Sequence, residues 1–146
     1  FLDYDSVIQP GSPKEKARLQ LLSRALKGQL CSVVITSEIR QGLTPEELAK
    51  RMSLLGGRHI SATPVLDPED SYGTRNAEIR EWLRQHKVTS ICIIDGSKTG
   101  LPVKPVWVSR QYGLNQVNFV PLRYRELENS VVLVTQQNHS DYDLPF

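Results

Sequence analysis

Apolar positions along the chain follow two rhythms. Short uninterrupted runs, residues 31–36 (CSVVIT) and 90–94 (SICII), alternate with stretches in which Leu or Ile returns every three or four residues. Unbroken apolar runs suit strands covered on both faces, whereas the longer spacing suits amphipathic helices. The helical spacing predicts one helix carrying Leu19, Leu22 and Leu26 and stopping at Gly28, and a second carrying Leu48, Met52 and Leu55 and stopping at Gly56-Gly57. A third is predicted over 74–86, with Ile79, Trp82 and Leu83 facing inward. Ser12-Pro13-Lys14-Glu15 and Thr44-Pro45-Glu46-Glu47 both read as capping boxes with Pro at the first helical position. Residues 1–8 read as a strand-like run, and 103–108, 118–120 and 131–135 as shorter strands. Alternation of strand and helix predicts an α/β fold with a mainly parallel sheet. That domain is expected to span 1–135, with 136–146 a polar tail.

The length of 146 residues fits one domain. With 39% hydrophobic and 23% charged residues the chain can bury a core, which excludes disordered and collagen-like classes. No apolar run approaches the roughly 18 residues of a membrane helix, so no membrane partner is expected. Eighteen Lys and Arg against 16 Asp and Glu leave +2, a balance that neither demands nor forbids nucleic acid. Cys31 and Cys92 lie in apolar runs and are expected to be buried thiols, which points to a reducing, cytoplasmic setting. His59, His86 and His139 lack metal-ligand spacing. The chain opens in an apolar run without an initiator Met, and is expected to be one piece of a longer protein with other domains.

Candidate chemistry sits at the ends of the predicted strands. The first carries Asp3 and Asp5, the second ends in Thr36-Ser37 and the third in Asp95-Gly96. Open α/β sheets bind ligands at the carboxyl ends of their strands, so these distant residues can converge. Carboxylates gathered there would form an oxygen-rich site suited to Mg²⁺ together with phosphate and water. The plainer reading makes Asp3 and Asp5 turn residues. Trp82 and Trp107 read as packing residues, and Arg40, Arg80, Arg84, Lys104 and Arg110 as solvated positive charges.

Several segments taken together resemble the haloacid dehalogenase (HAD) superfamily. Phe1-Leu2-Asp3-Tyr4-Asp5-Ser6-Val7-Ile8 resembles its first motif, an apolar strand followed by DxDGV. Val33-Val34-Ile35-Thr36-Ser37-Glu38-Ile39-Arg40 resembles the second motif in the SSSWR form of one subgroup. Thr63-Pro64 and Arg75-Asn76-Ala77-Glu78-Ile79-Arg80-Glu81-Trp82-Leu83 resemble that subgroup's TP…RxxEIxxWL segment. Ile93-Ile94-Asp95-Gly96 stands where its ILDD falls, and residues 106–114, ending Tyr112-Gly113-Leu114, resemble its final strand and GL turn. The subgroup is the capless HAD domain of Swiss Army Knife RNA repair proteins, and the resemblance runs from about residue 1 to 115.

The resemblance implies an HAD-like Rossmannoid three-layer sandwich without a cap domain. It implies that Asp3 is the nucleophile, forming an aspartyl-phosphate, and that Asp5 is the general acid and then the base. Thr36, with Ser37 as the weaker candidate, would hydrogen-bond the phosphoryl group. Mg²⁺ would be held by Asp3, Asp95 and the backbone of Asp5. The implied activity is phosphate-monoester hydrolysis, on a nucleic-acid end or another large phosphorylated substrate. The departures are Ser6 for Gly, Gly96 for the second acid, and the lack of a third-motif Lys, for which Arg75 and then Lys98 are the stand-ins. An Asp at 96 would be expected to tighten Mg²⁺. The same departures support an alternative, a catalytically degenerate domain that binds or scaffolds. A receiver domain is disfavoured because the paired acids come too early in the chain.

Overall fold

The structure, a computed structural model, describes residues 1–66, 74–97, 101, 103, 105–119 and 122. β1 (Val33–Ile35) pairs in parallel with β2 (Ile60–Ala62), Val33 facing Ile60 and Ile35 facing Ala62. β3 (Ile94–Asp95) pairs in parallel with β4 (Val106–Trp107). Leu2 joins the two pairs, bridging Ile35 on one side and Ile94 on the other, again in parallel. Its amide donates to the Val34 carbonyl at 2.8 Å, and the Asp3 amide donates to the Ile94 carbonyl at 3.0 Å. The order is therefore β2-β1-Leu2-β3-β4, with every carboxyl end at one edge. Thr36, Thr63, Asp95 and Asp3 all arrive there.

The parallel α/β expectation holds, but several elements are shorter or different in kind. Within 1–8 only Leu2 pairs as strand, because the chain turns at once into α1 (Tyr4–Val7). Tyr4, Val7 and Ile8 are buried at helical, not alternating, spacing. The Ser12 box does not form. α2 (Glu15–Ala25) starts after Lys14 without a side-chain cap. Glu15 works elsewhere: its carboxylate accepts from the Tyr4 hydroxyl at 2.6 Å, the Gly11 amide at 2.8 Å and Arg51 at 3.0 and 3.3 Å. The second box is present, Thr44 capping α3 (Pro45–Arg51) with Glu47 answering. α4 (Thr74–Gln85) matches the predicted third helix and buries Ile79, Trp82 and Leu83.

Residues 116–118 form a 3-10 turn capped by the Asn115 side chain, so the strand expected from 118 is replaced by helical geometry. Cys31 is exposed, because β1 begins only at Val33, and Cys92 is partly buried; neither is in a disulfide. Trp107 is also exposed, its indole N–H donating to the Gly96 carbonyl at 3.3 Å rather than packing in a core. Residues 131–135, the tail 136–146, Lys98 and Lys104 lie outside the described residues. Among the described residues no helix is long and apolar enough to cross a membrane.

Successive β1 residues point to opposite faces of the sheet. Val33 and Ile35 join Leu19 and Leu22 of α2 and Leu48 of α3 in one core, while Val34 joins Ile79, Trp82 and Leu83 of α4 in another. Two polar clamps tie these layers to the carboxyl edge. Arg18 is buried and donates to the carbonyls of Ile8 at 3.1 Å and Tyr112 at 2.7 Å, which fixes the Tyr112-Gly113-Leu114 turn beside α1. Gly113 has φ +64°, and a Cβ there would lie 2.7 Å from the Arg18 guanidinium carbon. The second clamp is Arg40. Contrary to its expected solvated role, its side chain is only 5% exposed and pairs with Glu78 of α4 at 2.5 Å. It also donates to the carbonyls of Thr36 (2.5 Å), Ser37 (2.7 Å) and Thr63 (3.2 Å).

Truncating one partner of a buried, hydrogen-bonded ion pair strands the other charge. Glu78→Ala is therefore expected to lower the unfolding free energy by about 3–5 kcal/mol, as read by denaturant titration. A loss below about 1 kcal/mol would mean that Arg40 finds solvent and that the pair is not a clamp.

Candidate active site

Asp3, Asp95 and Arg75 meet at the carboxyl edge of the sheet. Asp3 follows Leu2, Asp95 closes β3, and Arg75 stands in the first turn of α4. Both carboxylates are buried, at 2% and 0% exposure. Arg75 Nη1 donates to Asp3 Oδ2 at 3.2 Å and to both Asp95 oxygens at 3.0 Å. One cationic nitrogen thus serves three carboxylate oxygens. Without it, two neighbouring buried acids would repel and one would protonate.

Burial pushes the Asp95 carboxyl up to about 6, against the pull of the Arg75 charge, and Asp3 adds to the rise. Burial works against the Arg75 charge as well, but the charges of Asp3 and Asp95 and their hydrogen bonds outweigh it and raise its pKa. Both partners are therefore ionised at neutral pH. The Ser97 amide donates to Asp95 Oδ1 at 2.6 Å, and the Ser6 hydroxyl donates to Asp3 Oδ2. Asp3 Oδ2 thus holds two donors, whereas Oδ1 accepts no hydrogen bond from the described residues.

Asp5 is half-buried and tied to the 3-10 turn Glu38–Gln41: its Oδ2 accepts from the Ile39 amide at 3.2 Å, and its own amide donates to Ser37 Oγ at 3.2 Å. Thr36 lies just past β1, its Oγ1 buried and without a hydrogen-bond partner among the described residues. Asp3, Asp5, Ser6, Glu38, Arg75 and Arg110 line one pocket of about 370 Å³. Among the described residues no three His, Cys, Asp or Glu side chains form a group that could hold a metal ion. The carboxylates of Asp3 and Asp95 stand as a pair, with that of Asp5 turned to the Ile39 amide. That pair fits an oxygen-seeking divalent ion. It offers two buried carboxylates that one cation already bridges, and such ions complete their shells with water and phosphate.

Gly96 behaves differently from expectation. A Cβ built there would lie 2.6 Å from Arg110 Cγ, 2.8 Å from Ser6 Oγ and 3.0 Å from Ser6 Cβ. The two departures noted in the sequence are one steric exchange, Ser6 filling the room that a side chain at 96 would need. An added Asp would therefore collide before it could reach a metal.

The model of the family described as HAD domain in Swiss Army Knife RNA repair proteins matches residues 1–119. The chain belongs to that family. No curated protein and no solved structure matches it significantly. Membership gives this HAD domain an α/β Rossmannoid fold and points to a phosphohydrolase-type or related function. HAD domains generally depend on Mg²⁺.

Sequence reading had named Asp3, Asp95 and Arg75, and the structure brings them into contact. It did not single out Ser6 as a ligand of Asp3, the Arg40–Glu78 pair, or Arg110 and Glu38 as pocket residues. Arg40 and Glu78 each stood inside a family motif, so a signal existed, but it concerned structure rather than phosphate. Arg110 fell within the segment 106–114 that resembles the family's final strand and GL turn, but only its charge marked it for a ligand.

In this HAD domain Gly96→Asp is expected to cost about 1–3 kcal/mol of stability, as overpacking does, and to leave Mg²⁺ affinity no tighter. Adding Ser6→Gly should restore part of the loss. Denaturant unfolding and calorimetric Mg²⁺ titration of the single and double variants check both statements.

Proposed function

We propose that this HAD domain is a Mg²⁺-dependent phosphohydrolase that cleaves phosphate monoesters through an aspartyl-phosphate on Asp3, within a three-layer HAD-like sandwich. The observation that carries the reading is the bridging of the buried Asp3 and Asp95 by Arg75 beside a pocket that both Asp3 and Arg75 line. Ser6 and Arg75 hold Asp3 Oδ2, leaving Oδ1 as the attacking atom. As the Oδ1–P bond forms, the P–O bond to the leaving group breaks, and Asp5 gives that oxygen its proton. Asp5 then takes a proton from water, which attacks phosphorus and releases Asp3. Thr36 Oγ1, buried and without a hydrogen-bond partner among the described residues, would donate to a phosphoryl oxygen, and Ser37 keeps Asp5 in register. Asp3, Asp95 and backbone oxygen near Asp5 would hold Mg²⁺, which when bound supplies charge neutralisation for the incoming phosphate.

Between Asp5 and Thr36 the chain holds α2 and β1 with their connections, too little for a lid domain. An uncovered pocket favours a phosphorylated end of a nucleic acid, or another large substrate, over a small metabolite. A cytoplasmic setting and attachment to further domains of a longer protein belong to the same reading. Loss of the acid at 96 favours the second reading, a catalytically degenerate domain that binds phosphate without hydrolysing it.

Two measurements decide between them. Hydrolysis of a generic aryl phosphate is expected to need added Mg²⁺ and to stop when the metal is chelated. Asp3→Asn should abolish turnover with the fold intact by circular dichroism, and Asp5→Asn should slow it by about 10²–10⁴-fold. Near wild-type turnover in Asp3→Asn would remove Asp3 from the chemistry. No turnover in the wild type would leave the binding reading.

A further inference from the structure

We propose that Arg110 is the residue that anchors the phosphate group of the ligand, and that Gly96 is glycine so that the Arg110 side chain can lie across the site. The proposal rests on the reading of the pocket as a phosphate site and adds to it the group that receives the anion. Arg75 Nη1 is already committed to Asp3 and Asp95, so that nitrogen cannot meet an incoming phosphate without giving up two buried acids. Ser37 Oγ is occupied by the Asp5 amide. Arg110 lines the same pocket, and its guanidinium makes no hydrogen bond or ion pair with any described residue; only its backbone carbonyl is used, by Gln9.

The route of its side chain is specific. Arg110 Cγ would stand 2.6 Å from a Cβ at 96, and Ser6, which donates to Asp3, borders the same spot. Any residue other than glycine at 96 would force the Arg110 stem to shift from this path. Where the family pattern places a carboxylate, this chain therefore places the stem of a cation. Its planar fork matches two phosphate oxygens at once, which an ammonium does not. Glu38 lines the same pocket and carries the opposite charge.

Calorimetric titration with inorganic phosphate in the presence of Mg²⁺ tests this directly. Arg110→Ala is expected to weaken phosphate binding about tenfold or more, and Arg110→Lys to restore only part of it. Gly96→Ala should weaken binding more in the wild-type background than once Arg110 is Ala, because the share of its effect that acts through the displaced stem is then gone and only the contact with Ser6 remains. Arg110→Ala lies on an exposed side chain, so a folded variant is expected and circular dichroism verifies it. Unchanged phosphate affinity in Arg110→Ala, or no phosphate binding by the wild type, overturns the proposal. Arg110-dependent binding without any hydrolysis would uphold it while the phosphohydrolase reading fails. Hydrolysis lost in Asp3→Asn, with binding indifferent to Arg110, would do the reverse.

Discussion

Two carboxylates buried side by side at the end of a parallel sheet need a cation between them, and most of the structure around the pocket serves that need. Asp3 and Asp95 lie on neighbouring strands, so their proximity follows from Leu2 pairing with both Ile35 and Ile94. Arg75 supplies the charge from a third element. Its reach depends on how α4 is docked, and docking depends on Glu78, one turn further along the same helix face. Glu78 is held by Arg40, which in turn grips the carbonyls that follow β1 and β2. The ion pair is therefore less a source of net stability than a device that fixes a helix angle.

The site that results has an unusual charge plan. Acidic side chains at a pocket disfavour phosphate. Here one guanidinium bridges Asp3 and Asp95, and a second, Arg110, lines the same pocket. Glycine at 96 gives up a carboxylate and opens the space that lets the second cation approach, with Ser6 completing the packing and fixing Asp3. Two substitutions that look like separate losses of a motif, Ser6 and Gly96, form one contiguous contact with Arg110.

Much of this was visible from residue order. The parallel α/β class followed from apolar runs alternating with helical spacing, and the Thr44 capping box and the inward face of α4 stand as read. Asp3, Asp95 and Arg75 were named as site residues from strand ends and motif order. The misreadings have local causes. Tyr4, Val7 and Ile8 satisfy a helix as well as a strand in so short a run, and Glu15 was drawn from its expected cap by Tyr4 and Arg51, which lie far from it in sequence. Cys31 stood in an apolar run but outside the paired residues, so it stayed exposed.

Local periodicity and turn chemistry were enough to establish the kinds of elements and the acids at their ends, because backbone propensity and side-chain spacing act over a few residues. Partnerships are another matter. That Arg40 is buried on Glu78, that Ser6 replaces a side chain at 96, and that Arg110 lies across Gly96 depend on which surfaces meet after the sheet closes around Leu2. Charge and size on a one-dimensional chain carry no distance between positions so far apart, and only packing converts a charged residue into a clamp, a bridge or an open hand for phosphate.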